Sequence, residues 1–168
     1  YASPRDMAVL RKLQHRTLGV AKNGGMNGTQ CAVHGCMHEE NMQHLMSCPT
    51  IKRDYWDKIV QYLQHFNIAA ENTEEFWLGC LRGKTAGGET LGAIAIAWRA
   101  LYAEVTKAHA EDKNLRLDRA YFTFTRLLLG RVKAHGAKWR RWYNTQRLWQ
   151  PSKAKHFPRQ HRNKKFIQ

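Results

Sequence analysis

No carboxylate follows Asp118: residues 119–168 hold 14 of the 28 Lys and Arg and none of the 13 Asp and Glu. The chain has no Asp-Asp pair, no glycine-rich phosphate-binding loop, no G-x-S-x-G elbow and no Pro-Asp nuclease pattern. These gaps exclude the usual two-metal, P-loop and serine-hydrolase chemistries, so the sequence predicts binding rather than catalysis. Its most apolar stretch, Leu91 to Ala103, is interrupted by Arg99 and is too short to cross a bilayer. Nothing resembles a signal peptide. Four Cys are too few for a disulfide scaffold in 168 residues, and strand-like alternation of useful length is missing.

What is present divides unevenly. Tyr1 to Asp118 carries 14 basic and 13 acidic residues, a net of +1, so nearly all of the +15 lies beyond it. Fifty residues of one sign repel themselves unless a polyanion neutralises them; of phosphate backbones, anionic membranes and acidic proteins, nucleic acid fits best. The expected partner is structured RNA, with other proteins of a ribonucleoprotein and no membrane.

Helical periodicity dominates the body. Ser3-Pro4 opens a helix with a stripe of Met7, Leu10, Leu13 and Leu18. Pro49 opens a second, with Ile51, Tyr55, Ile59, Leu63 and Phe66 at helical spacing and Trp56 and Val60 widening the stripe. Asn72 or Thr73 caps a short helix through Phe76, Trp77 and Cys80, the last read as a buried core thiol. Gly83 to Gly88 reads as a loop. Leu91, Ile94, Trp98, Leu101, Tyr102 and Val105 mark a strong helix ending near Glu111–Asn114. A further helix from about Leu115 carries Tyr121, Phe124 and Leu128, with Gly130 and Gly136 as points of kinking or termination. The expected fold is all-α: a zinc-binding helical domain over 1–130 and a basic, aromatic-rich extension over 131–168. Glu39-Glu40 and Glu74-Glu75 read as solvated surface.

Three of the four Cys crowd into residues 31–48 with several His. Two close Cys, then a His and a Cys one helical turn apart, is the pattern of a structural zinc site, in which two short ligand pairs meet as a tetrahedron. The assigned ligands are Cys31, Cys36, His44 and Cys48. Four residues separate Cys31 from Cys36, a wide first loop that leaves His34 and His38 as alternatives. With all four positions supplied by protein, no site remains for an activated water, so the predicted Zn2+ is structural and required for the fold.

This segment and its flanks resemble the zinc-binding region C-terminal to reverse transcriptases of non-LTR (LINE-type) retroelements. The resemblance rests on Leu10-Arg-Lys-Leu-Gln-His15-Arg-Thr-Leu-Gly, then Cys31…Cys36, Glu39-Glu40, His44-Leu45…Cys48-Pro49 and Trp56, and extends weakly to Phe76-Trp77-Leu78 and Ile96-Ala-Trp98. It covers roughly residues 7–105. It implies a module that handles template RNA or target DNA beside a polymerase, whose Tyr-x-Asp-Asp is lacking here.

From Arg131 on, cations interleave with aromatics. The predicted nucleic-acid-binding residues are Arg131, Lys133, Lys138, Arg140, Arg141, Arg147, Lys153, Lys155, Arg159, Arg162, Lys164 and Lys165. Trp139 and Trp142 are expected to dock a last helix onto the body, with stacking on unpaired bases as the alternative. The sequence therefore predicts a non-catalytic, zinc-stabilised RNA-binding protein. A structural subunit of a ribonucleoprotein such as an organellar (mitochondrial) ribosome is the favoured setting. The alternative is the C-terminal domain of an active non-LTR reverse transcriptase gripping template RNA or target DNA, which would place it in the nucleus.

Overall fold

A computed structural model describes residues 3–14, 30–66, 68–81 and 84–134. Along these, the elements are α1 (Pro4–Gln14), α2 (Met42–Ser47), α3 (Pro49–Ile51), a π-helical turn (Lys52–Trp56), α4 (Asp57–His65), α5 (Glu74–Trp77), β1 (Cys80–Leu81), β2 (Lys84–Thr85), α6 (Gly88–Glu111) and α7 (Leu117–Ala134). The fold is all-α apart from the short antiparallel β1–β2 pair. Among the described residues no helix is long and apolar enough to cross a membrane.

α6 is the central element, with α7 and α1 packed against it. Every residue from Gly92 to Trp98 is buried, as a helix apolar on all sides requires. Its small residues let neighbours approach, and three tryptophans fill the space beside it. Trp56, Trp77 and Trp98 are each fully buried, with the Trp56 ring 4.3 Å from Trp77 and 4.8 Å from Trp98 between centroids. A buried indole needs a hydrogen-bond partner, and all three have one: Trp56 donates to the Leu45 carbonyl, Trp77 to Asn72 Oδ1 and Trp98 to the Trp77 carbonyl. The π turn widens the helix where Tyr55 and Trp56, adjacent in sequence, are both fully buried, and Tyr55 donates to the Ala97 carbonyl of α6.

Local signals set the helix ends. Thr73 caps α5 through Phe76 N–H, and Asn41 caps α2 through His44 N–H. Gly79, at φ +93°, ends the α5 region in a left-handed conformation. That turn carries Cys80 off the expected helix into β1, opposite Thr85, where it is only half-buried. β2 likewise occupies part of the expected 83–88 loop. α7 runs through Gly130 to Ala134 without ending there: Phe124 and Leu128 are buried against the core, and such packing overrides the roughly 1 kcal/mol cost of a helical glycine. A domain boundary drawn at 130/131 therefore falls inside a helix.

Asp6 joins the three central helices. It sits at N3 of α1 in a capping box: Asp6 N–H donates to Ser3 Oγ, and Ser3 N–H donates back to Asp6 Oδ2 at 2.7 Å. The carboxylate, 1% exposed, also receives Arg99 of α6 on Oδ1 at 2.7 Å and Arg131 of α7 on Oδ2 at 3.2 Å. Burial alone would raise its pKa, but the hydrogen bonds from Arg99 and Ser3 and the Arg99 charge outweigh it and hold the group below the ordinary carboxylate value. A depressed folded-state pKa stabilises the fold fully above the unfolded value of about 3.9, and that share is lost as pH falls through the folded value. Asp6→Ala is predicted to cost about 2–3 kcal/mol at neutral pH, because it strands two half-buried guanidinium groups and a helix cap. Its urea midpoint should also fall less steeply than wild type below pH 4. A midpoint equal to wild type at pH 7 would show that Asp6 does not join the helices.

Candidate metal centre

The first ligand pair is carried by a short hairpin. Gln30 and Glu39 form an isolated antiparallel bridge, Cys31 N–H donates to the His38 carbonyl, and Cys36 N–H donates to the Val33 carbonyl at 3.0 Å. That last bond closes a β-turn whose third residue, Gly35, has φ +76°, a conformation that glycine adopts without strain. The turn folds the wide Cys31–Cys36 loop back on itself so that both sulfurs face one point. The second pair comes from the junction of α2 and α3. His44 lies in the first turn of α2, and Cys48 is at once the C-cap of α2 and the N-cap of α3, with Pro49 opening the next helix.

The ligand atoms of Cys31, Cys36, His44 and Cys48 all lie within 4.8 Å of one another. Cys36 Sγ is 3.3 Å from His44 Nε2. A tetrahedral zinc ion with bonds of about 2.3 Å to sulfur and about 2.0 Å to nitrogen would set sulfur–nitrogen edges of about 3.5 Å and sulfur–sulfur edges of about 3.8 Å, so the donor set fits such an ion in type and spacing. His34 and His38 are exposed and lie outside this set, although the His38 ring centroid is 5.2 Å from that of His44.

Electrostatics at the cluster favour a cation. Burial pushes the Cys31 thiol far above its ordinary range, the nearby Cys48 and Cys36 push it further, and only a hydrogen bond from the Val33 backbone opposes them. Three thiolates cannot be packed together without a positive charge among them; a bound dication supplies it and deprotonates its thiol ligands. Burial, aided by the charge of His38, lowers the His44 pKa against the opposing pull of Glu40. This favours the neutral imidazole that metal binding needs.

Glu40 departs from the sequence reading. Expected on the surface with Glu39, it is 0% exposed. Its Oε2 accepts the Ala32 N–H at 3.1 Å, and its Oε1 lies 2.7 Å from His109 Nε2 in the last turn of α6. Leu115 N–H donates to the Ala32 carbonyl from the α6–α7 connection. The hairpin is thus fastened to the end of α6 through the Glu40 carboxylate, which also holds the Ala32 N–H, and to the α6–α7 connection through the Ala32 carbonyl. No local signal separates Glu40 from Glu39, since its partner is 69 residues away in sequence. Glu74 and Glu75, by contrast, are exposed as expected. Glu40→Ala is predicted to destabilise the metal-loaded protein by about 2–4 kcal/mol, through an unsatisfied buried N–H and a cavity. An unchanged urea midpoint would contradict the fastening role.

Of the residues predicted to contact nucleic acid, two lie among the described ones. Lys133 is exposed on α7. Arg131 turns inward, 31% exposed, to pair with Asp6, so the structure gives it a bridging place between helices. Lys138, Arg140, Arg141, Arg147, Lys153, Lys155, Arg159, Arg162, Lys164 and Lys165, with Trp139 and Trp142, lie outside the described residues, as does Leu18. No protein-family model, curated protein or solved structure matches this chain.

Proposed function

We propose that this chain is a non-catalytic RNA-binding protein whose helical body is held by a structural zinc ion at Cys31, Cys36, His44 and Cys48. The observation that carries the RNA-binding reading is the segregation of charge: 14 Lys and Arg and no acid after Asp118, against a body of net +1. Such a segment neutralises phosphates and gains affinity by releasing their counterions. The zinc reading is supported by the convergence of three thiols and one imidazole. Because all four ligands come from the protein, the ion's role is to hold the hairpin and the α2–α3 junction together.

The setting we favour is a ribonucleoprotein, such as an organellar ribosome, in which the basic segment anchors the folded body on structured RNA. A second reading takes its support from the resemblance of the cysteine segment to the zinc-binding region of non-LTR reverse transcriptases. In that reading the same surface grips template RNA or target DNA beside a polymerase. Crosslinking in cells, followed by sequencing of the attached nucleic acid, tests both. One abundant structured RNA supports the first reading, a retroelement transcript or its DNA target supports the second, and recovery of no nucleic acid overturns both. Elemental analysis of the purified protein should give one zinc per chain.

A further inference from the structure

We propose that the outer face of α7 is a binding surface for an unpaired stretch of RNA, with Phe122 stacking on a base and Arg126 and Lys133 meeting phosphates. This deepens the RNA-binding reading and rests on it. It assigns part of the contact to the folded body, whereas the sequence had placed the contact in the terminal extension.

α7 buries Leu117, Ala120, Phe124 and Leu128. On the opposite side, Phe122, Arg126, Leu129 and Lys133 recur at steps of four, three and four, and therefore share one stripe. The stripe is open: Phe122 is 66% exposed, Leu129 is 41% exposed, and Arg126 and Lys133 are both exposed. From Phe122 to Lys133 it runs roughly 16 Å at 1.5 Å per residue. Gly130 lies on the same face, and a Cβ built there meets nothing within 4 Å. Neither a turn nor internal packing calls for that glycine, while a shallow notch beside Arg126 and Lys133 admits the close approach of a backbone from outside.

The chemistry of the stripe selects the occupant. It carries no carboxylate; the acid nearest in sequence, Asp118, pairs with Arg116, and Glu104 of α6 pairs with Arg119, both at the other end of the helix. An apolar protein partner would meet two cations among two large apolar groups, a poor match for a desolvated interface core. A polyanion with planar apolar faces satisfies both halves. In a duplex those faces are stacked away, so an exposed aromatic between cations suits unpaired bases.

The test uses the full zinc-loaded chain and two fluorescent probes, a 12-nucleotide single-stranded RNA of mixed sequence and the same strand annealed to its complement. Phe122→Ala should weaken single-strand binding by about 5- to 100-fold and change duplex binding by less than about twofold, while Phe122→Trp retains affinity. Arg126→Ala with Lys133→Ala should reduce the slope of log affinity against log salt by about one per residue. Gly130→Ala should weaken binding while raising the melting temperature, a pairing that a purely structural glycine would not show. If wild type binds and all these variants bind equally, the α7 face is not the site. Equal weakening on single strand and duplex would overturn the stacking role. If wild type binds neither probe, the RNA-binding reading itself fails.

Discussion

Removing the metal with EDTA is expected to abolish the cooperative thermal melt of the helical body, with loss of much of its far-ultraviolet helix signal. A structural zinc site contributes on the order of 10 kcal/mol or more at neutral pH, whereas a domain of this size has a net stability of about 5–15 kcal/mol. The loss would not stay local. Cys31 and Cys48 are themselves buried in the core beside Leu45 and Met46, the Leu45 carbonyl satisfies the Trp56 indole, and Glu40 ties the hairpin to His109 of α6. Without the ion, a partly buried cluster of thiols and an imidazole would have to carry the whole junction. Cys36→Ser and His44→Ala should reproduce the effect in zinc-containing buffer, and added zinc should restore only the chelated wild type. A melt that survives chelation unchanged would refute a structural role for the metal.

The second large effect concerns RNA affinity, which is expected to fall by about a thousandfold or more between 50 and 200 mM salt. That steepness corresponds to about 6–10 neutralised phosphates. Among the described residues, Arg119 and Arg131 already face carboxylates, Glu104 and Asp6, and the sequence holds 12 further cations after Asp118, more than the number needed. Truncation after Gln150 removes Lys153, Lys155, Arg159, Arg162, Lys164 and Lys165. If all six meet phosphate, the salt slope should drop by roughly 4–5, with the melt of the body unchanged because every described core residue is kept. A flat salt dependence in the full chain would refute phosphate anchoring.

The convergence of Cys31, Cys36, His44 and Cys48 was legible in the sequence because a metal-site pattern is local: residue type and short spacing decide it, and a turn glycine and a proline complete the geometry. The long helices were legible for a similar reason, since Ile94, Trp98, Leu101 and Val105 write their burial as a period. Contacts between distant residues left no such trace. Glu40 looked like half of a surface acidic pair until His109 was seen beside it. Arg131 looked like one more phosphate-seeking cation, although Asp6 holds it from the far end of the chain. Ser3 and Asp6 did carry a readable capping signal, but nothing local announced that the same carboxylate binds two arginines. Cys80 left its expected helix because of one left-handed glycine at 79, a backbone event that apolar periodicity does not record.

The Asp6–Arg131 contact also bears on when this body can form during synthesis. Its partners are separated by 125 positions, and at about 5–20 residues per second the second arrives roughly 6–25 s after the first. Arg99 of α6 follows Asp6 by only 93 positions, so α1 gains its first arginine and the cover of α6 earlier, and only the α7 share of the contact waits for the whole interval. The metal hairpin and the α2–α3 junction, by contrast, are complete within a few seconds of each other. If the cluster takes up its ion, the segment 31–48 would then be the earliest ordered part of the nascent chain, and the junction of α1 with α7 among the last to close.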